Sequence, residues 1–223
     1  MSIFDQIEED IKEFLDKELK EKGRAFLNEW DFQMSLSLFL THIKGYKVHL
    51  EYVVPLSFLV KREYPFANKE NINIDIVIEK EGLFYLIELK YKTQRATIKF
   101  ERFGEINCVS LKDQSRIPMS KYDFWKDVAR LEFLKESFEK VKGGLCIFLT
   151  NNETYTRGNK GISEKFTMKA QEHHIGTLTL KDGKTKEKCP EFSLSKDYQI
   201  EKWHELTNEE TKIAFHYCIV RVD

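Results

Sequence analysis

Between residues 71 and 92 the chain reads NINIDIVIEKEGLFYLIELKYK, two apolar runs on either side of the short polar stretch EKEG. Runs of that length, rich in Ile, Val, Leu, Phe and Tyr and separated by a turn signal, predict a β-hairpin with buried strands. Upstream the period changes to that of a helix. Ile3, Ile7, Ile11, Phe14, Leu15 and Leu19 recur with Asp, Glu and Lys between them, predicting an amphipathic helix over 3–22 that ends at Gly23. A second helix is predicted from Asn28, an N-cap with Asp31 three residues on, to about Lys44 before Gly45. YKVHLEYVVPLSFLV follows as one or two strands broken at Pro55.

After the hairpin, ATIKFER, the turn FGE and INCVSL predict a second, inserted hairpin. Phe124, Val128, Leu131, Leu134 and Phe138 then form the apolar stripe of a helix, with Ser120 as its N-cap and Gly143 beyond its end. LCIFLTN is a continuous apolar run, the buried strand that follows a crossover helix. Past residue 150 the pattern weakens. It suggests a polar loop over 151–161 with Arg157 and Lys160, a short helix in ISEKFTMKAQ, and short strands in GTLTL and FSLSKDYQIEKWHEL around the turn KDGKTKEK. The alternating IAFHYCIVRV adds a last strand to the sheet.

Composition narrows the class. At 223 residues the chain suits one domain, 1–223, with a core over about 24–150 and a C-terminal elaboration over 151–223. A third of the residues are charged, 13% are aromatic and the net charge is −1, so any polyanion-binding surface has to be local. Cysteines 108, 146, 189 and 218 lack C-x-x-C spacing and read as reduced thiols of a cytoplasmic protein. No apolar run reaches the length of a membrane span, and the acidic N-terminus is unlike a signal peptide. Glu172, His173, His174 and His204 lack the i, i+4 histidine pair of a zinc helix, and no phosphate loop, G-x-S-x-G elbow or Cys–His signature is present.

The chemistry concentrates in the first hairpin. Asp75, Glu88 and Lys90 are residue types seldom buried unless paired or bound to something. Side chains alternate along a strand, so Glu88 and Lys90 share a face. A tight turn centred on Lys80 and Glu81 sets Asp75 opposite position 86 on that same face, roughly 7–8 Å diagonally from Glu88. A register shifted by two sets Asp75 directly opposite Glu88. Two carboxylates converging from adjacent strands make a hard-oxygen site suited to Mg²⁺ or Mn²⁺, with a lysine at hand to stabilise charge on a phosphate.

Asp75, followed thirteen positions later by Glu88, Leu89 and Lys90 on a predicted hairpin behind a helix, resembles the PD-(D/E)XK, or restriction-endonuclease-like, nuclease superfamily. Ile74 stands where that signature has proline. The resemblance runs over roughly 29–150. It implies an α/β fold with a restriction-endonuclease-like core, a mixed central sheet flanked by helices. The implied activity is metal-dependent hydrolysis of phosphodiester bonds, most readily of DNA, with RNA as the alternative substrate, in restriction, repair, recombination or defence. Asp75, Glu88 and the Leu89 carbonyl are the implied ligands of Mg²⁺ or Mn²⁺, and Lys90 the residue that orients or activates the attacking water and neutralises charge. The resemblance leaves a homodimer open, as it does a non-catalytic protein of the same fold that binds nucleic acid or a protein partner.

Glu29 and Gln33 lie one turn apart on the second helix. In the resembled superfamily such a helix carries a Glu or Gln that completes the metal shell, so Glu29 is an accessory ligand or simply complements its helix N-terminus. Gln33 is a neighbour that contacts site or substrate. Lys92, Arg95 and Lys99, with Arg102, Lys112 and Arg116, give the inserted hairpin a basic character suited to DNA. Lys61, Arg62 and Lys69 belong to a polar segment that is either a loop beside the substrate or, the favoured reading, a solvated connection. Glu51, mid-strand, either approaches the site or, the favoured reading, faces the surface. Asp127, Arg130 and Lys126 either line a cleft or, the favoured reading for the first two, form an intrahelical pair.

Overall fold

A computed structural model describes residues 1–59, 64, 66, 70–114, 116–158, 161–180 and 189–223, with backbone alone for Phe100 and Arg102. Lys61, Arg62, Lys69, Lys160, the Arg102 side chain and the turn over 181–188 therefore lie outside the described residues. Six strands form the central sheet: β1 (Lys47–Pro55), β2 (Asn71–Lys80), β3 (Leu83–Lys92), β6 (Val141–Thr150), β10 (Ala214–Val222) and β9 (His204–Thr207), side by side in that order. β1, β2 and β3 form an antiparallel meander, whereas β6 runs parallel to β3 and is reached through the long helix α3 (Ile117–Ser137). A parallel neighbour requires such a crossover. The C-terminal strand β10 pairs directly with β6, so the C-terminal region completes the central sheet.

The sheet is covered on both faces. On one side α1 (Ile3–Leu15) and α2 (Glu29–Leu38) bury Ile7, Ile11, Phe14, Phe32 and Leu36 against Ile76, Ile87, Leu89, Ile147 and Tyr217. On the other, α3 and the hairpin of β7 (His173–Leu178) and β8 (Phe192–Gln199) bury Trp125, Val128, Leu131, Phe192 and Leu194 against Leu86, Cys146, Phe148 and Val220. Strands buried on both faces carry near-continuous apolar runs, which is why LCIFLTN lacks alternation. The inserted hairpin, β4 (Thr97–Arg102) and β5 (Glu105–Ser110), is a separate two-stranded sheet. All four cysteines are free, and no helix among the described residues is long and apolar enough to cross a membrane.

Local chemistry sets the helix ends. Ser2 and Asp5 form a capping box on α1, and the Asn28 side chain accepts from the Asp31 amide. Both helices widen into π-helical turns, Asp16–Glu21 and Phe39–Ile43, and Gly23 and Gly45 follow at positive φ. α3 starts earlier than its sequence pattern suggests. Its N-cap is Arg116, Pro118 sits in the first turn, and Ser120 Oγ donates to the Arg116 carbonyl from inside the helix. ISEKFTMKAQ forms only a single 3₁₀ turn, Glu164–Phe166.

Gly143 lies beyond the end of α3, within β6. A Cβ there would stand 2.5 Å from the Phe4 ring of α1, and one on Gly144 would stand 2.7 Å from Leu131 of α3. The two glycines thus let both helical layers close onto β6. Gly144→Ala is expected to destabilise the fold by about 1–3 kcal/mol through overpacking, read as a lower midpoint in urea denaturation.

Candidate functional site

The β2–β3 turn falls on Glu81 and Gly82, both at positive φ, with Lys80 paired to Leu83. That is one residue later than a turn centred on Lys80 and Glu81, because Gly82 accepts the left-handed backbone without a Cβ penalty. The resulting register sets Asp75 level with Glu88. The ladder, however, stops at Ile76 and Ile87, while β3 continues beside β6 as far as Lys92. Backbone amides on the side of β3 facing β2 must then find other acceptors, since a buried unpaired N–H costs about 1–3 kcal/mol. Asp75 Oδ2 accepts the Leu89 amide at 2.7 Å, and Glu29 Oε2, from the first turn of α2, accepts the Tyr91 amide at 2.7 Å. The same Glu29 oxygen lies 3.4 Å from Lys92 Nζ.

A second break lies on the other side of β2. The β1–β2 ladder pairs Leu50 with Ile76 and Tyr52 with Ile74 but leaves out Glu51 and Asp75. Glu51 has φ +48°, a conformation that strains a residue bearing a Cβ. The strands change faces here: Leu50, Ile76 and Ile78 pack toward α1 and α2, whereas Val54, Ile72 and Ile74 pack toward α3. Buried Gln33 spans the break from α2, its Nε2 donating to Glu51 Oε1 at 2.8 Å and to the Asp75 carbonyl at 2.7 Å.

Glu88 and Lys90 face α3, and two side chains of that helix meet them. Lys90 Nζ lies 2.6 Å from Asp127 Oδ2 and donates to the Leu89 carbonyl at 3.2 Å. Arg130 Nε lies 3.1 Å from Glu88 Oε1, and Arg130 Nη2 also touches Asp127. Glu88 and Asp127 are each 2% exposed, while Asp75, Lys90 and Glu29 are half-buried. Burial and the neighbouring Asp127 and Asp75 carboxylates push Glu88 well above the usual carboxylate range despite Arg130. Burial likewise raises Asp75, only partly offset by Lys90 and the Leu89 amide. Burial also acts on Asp127, but Arg130 and Lys90 outweigh it and hold that group low. Burial alone would lower Lys90; the carboxylates around it, Asp127 first, instead raise it, so it stays an ammonium ion at neutral pH.

Asp75, Glu88 and Lys90 are therefore gathered in one cluster, with Glu29 and Gln33 at its edge. Lys92 contacts Glu29, whereas Arg95 and Lys99 are exposed and make no ion pair among the described residues. Asp127 and Arg130 pair within α3 and also line the cluster, so the two sequence readings hold together. Position 127 lies three residues after Phe124 and four before Leu131, which puts a carboxylate on the buried stripe, and that is the signal sequence inspection offers. Glu51 is exposed, as its favoured reading has it, and meets the edge of the cluster through Gln33, by a backbone conformation no residue pattern announces. Lys126 turns away, toward Asp123 and the Tyr122 ring.

Among the described residues, no three His, Cys, Asp or Glu side chains are arranged as a metal cage. The donor chemistry of the cluster nevertheless fits a hard divalent cation: two carboxylates and the Leu89 carbonyl, all oxygen, with Lys90 and Arg130 as the cations that touch Glu88 and Asp127 among the described residues. The raised proton affinity of Asp75 and Glu88 comes first from burial and then from the neighbouring carboxylates, both of which a bound cation would offset. No protein-family model, curated protein or solved structure matches the chain.

Arg130→Met, which leaves Glu88 and Asp127 under-compensated, is expected to cost about 3–5 kcal/mol in chemical denaturation, with part recovered by adding Glu88→Gln. Glu51→Gly should raise stability by up to about 1 kcal/mol, since relief of strain exceeds the entropy cost of glycine. A drop would show that the Gln33 contact outweighs the strain.

Proposed function

We propose that this chain is a metal-dependent nuclease with a restriction-endonuclease-like core, hydrolysing phosphodiester bonds of DNA. The observation that carries the reading is the meeting of Asp75, Glu88 and Lys90 from two adjacent strands at the point where their ladder opens. Asp75, Glu88 and the Leu89 carbonyl would hold Mg²⁺ or Mn²⁺, with Glu29 as accessory ligand. The bound cation would supply Lewis acidity and a more acidic water.

The chain's own residues would do the rest. Lys90, kept protonated by Asp127, places a fixed positive charge where a phosphate gains negative charge, and it acts as a cation and not as a base. Asp127 fixes the Lys90 ammonium, and Arg130 holds Glu88 until a cation shares that carboxylate. Gln33 fixes the Asp75 backbone, which orients its carboxylate toward β3.

One observation favours a second reading, a non-catalytic protein of the same fold that binds nucleic acid or a protein partner. Arg130 and Asp127 already satisfy much of the charge on Glu88 and Lys90, as a retired site would. Nicking of supercoiled plasmid across a Mn²⁺ titration separates the two. Asp75→Asn keeps an acceptor for the Leu89 amide, and Lys90→Met keeps bulk. Each is expected to lower metal-dependent nicking about 10²-fold or more while the protein stays folded by circular dichroism. Wild-type nicking in either variant overturns the hydrolytic assignment.

A further inference from the structure

The inserted hairpin bears two costs for which the chain itself gives no return. Its turn is made by Phe103 and Gly104, at φ +57° and +80°. Such turns favour Asn, Asp or Gly, and a bulky side chain at positive φ is an outlier. The Phe103 ring is also fully exposed, as is most of Ile106 behind it. The base of the hairpin, by contrast, is well anchored. Ile98 and Leu111 are buried in the core, and the Leu111 amide donates to the Ala96 carbonyl at 2.8 Å. An aromatic ring is thus held out on a rooted support that begins five residues after Lys92, the end of the strand carrying Glu88 and Lys90.

The surroundings indicate what the ring meets. Residues 92–116 hold six Lys or Arg against three Asp or Glu, in a chain whose net charge is −1. Arg95, Lys99, Lys112 and Arg116 are exposed. A ring projecting from the tip of a hairpin whose root and flank carry Arg95, Lys112 and Lys99 suits an elongated polyanion with stackable faces better than a compact protein surface. Extending the nuclease reading, on which the choice of nucleic acid rests, we propose that the β4–β5 hairpin binds single-stranded nucleic acid. Phe103 stacks on an unpaired base at the tip, and Lys99 and Arg95, lower on the same hairpin, contact phosphates further along the strand.

The test is binding of the full chain to a fluorescein-labelled oligo-dT and to a duplex of equal length, by anisotropy in EDTA, where no cleavage occurs. Phe103→Ala is expected to weaken oligo-dT binding roughly five- to a hundredfold, Phe103→Trp to restore it, and duplex binding to change less. Arg95→Glu with Lys99→Glu should weaken both and flatten the salt dependence. Phe103→Asn, whose side chain tolerates the turn conformation, should unfold at or above the wild-type temperature yet bind like Phe103→Ala, separating contact from fold.

Oligo-dT affinity unchanged by Phe103→Ala, or absent in the wild type, overturns the proposal. So does a Phe103 effect confined to self-association in sedimentation, which would assign the ring to a second copy of the chain. Wild-type protein that binds oligo-dT through Phe103 but never nicks plasmid with Mn²⁺ sustains this inference and removes the hydrolytic one.

Discussion

Strand β3 outruns its partner, and the rest of the site follows from that. From Ile87 back to Leu83 it is paired with β2; past Ile87 the two part, and the Leu89 and Tyr91 amides lose their ladder acceptors. Between α2 and α3 these amides are largely shielded from water, which is then not a ready substitute. The carboxylates of Asp75 and Glu29 take those amides, so each does a backbone's work with one oxygen. A parted ladder with acidic side chains along its edge brings charge to the end of a buried sheet without leaving donors unsatisfied.

Opening one ladder disturbs the next. β1 and β2 skip a pair at Glu51 and Asp75 and exchange faces there, at the cost of a strained Glu51 backbone. Gln33 bridges the discontinuity with a single amide nitrogen. Strain of this kind persists where the surroundings over-determine it, and here the surroundings are the residues of the cluster. On the opposite face, α3 answers Glu88 and Lys90 with Arg130 and Asp127. Buried ions need such partners, because one left alone costs several kcal/mol. Among the described residues carboxylates outnumber the cations of the cluster, and two of them are raised toward protonation, chiefly by burial.

Much of the fold was legible before any coordinates. The hairpin over 71–92, the helices beginning at Ile3 and Asn28, the inserted hairpin and the strand after the crossover helix each announce themselves by period or cap. So do Asp75, Glu88 and Lys90, because an ionisable residue inside an apolar run demands a reason. The start of α3 was misjudged because Pro118 begins a helix more effectively than Ser120 caps one. Gly143 does lie beyond the end of α3, but it sits in β6, where the absence of a Cβ lets Phe4 approach. Propensity is local, and there a neighbour distant in sequence decides.

The sequence alone therefore determined which segments are strands and helices and that three charged groups sit on one face of a hairpin, since period and polarity are properties of neighbouring residues. Tertiary structure decided where that hairpin parts, that Glu29 and Gln33 reach its edge, and that Asp127, Arg130 and Glu51 belong with it. Those are questions of which backbone amides lack partners and which charges lack counter-charges. Only the packing of three layers sets either one.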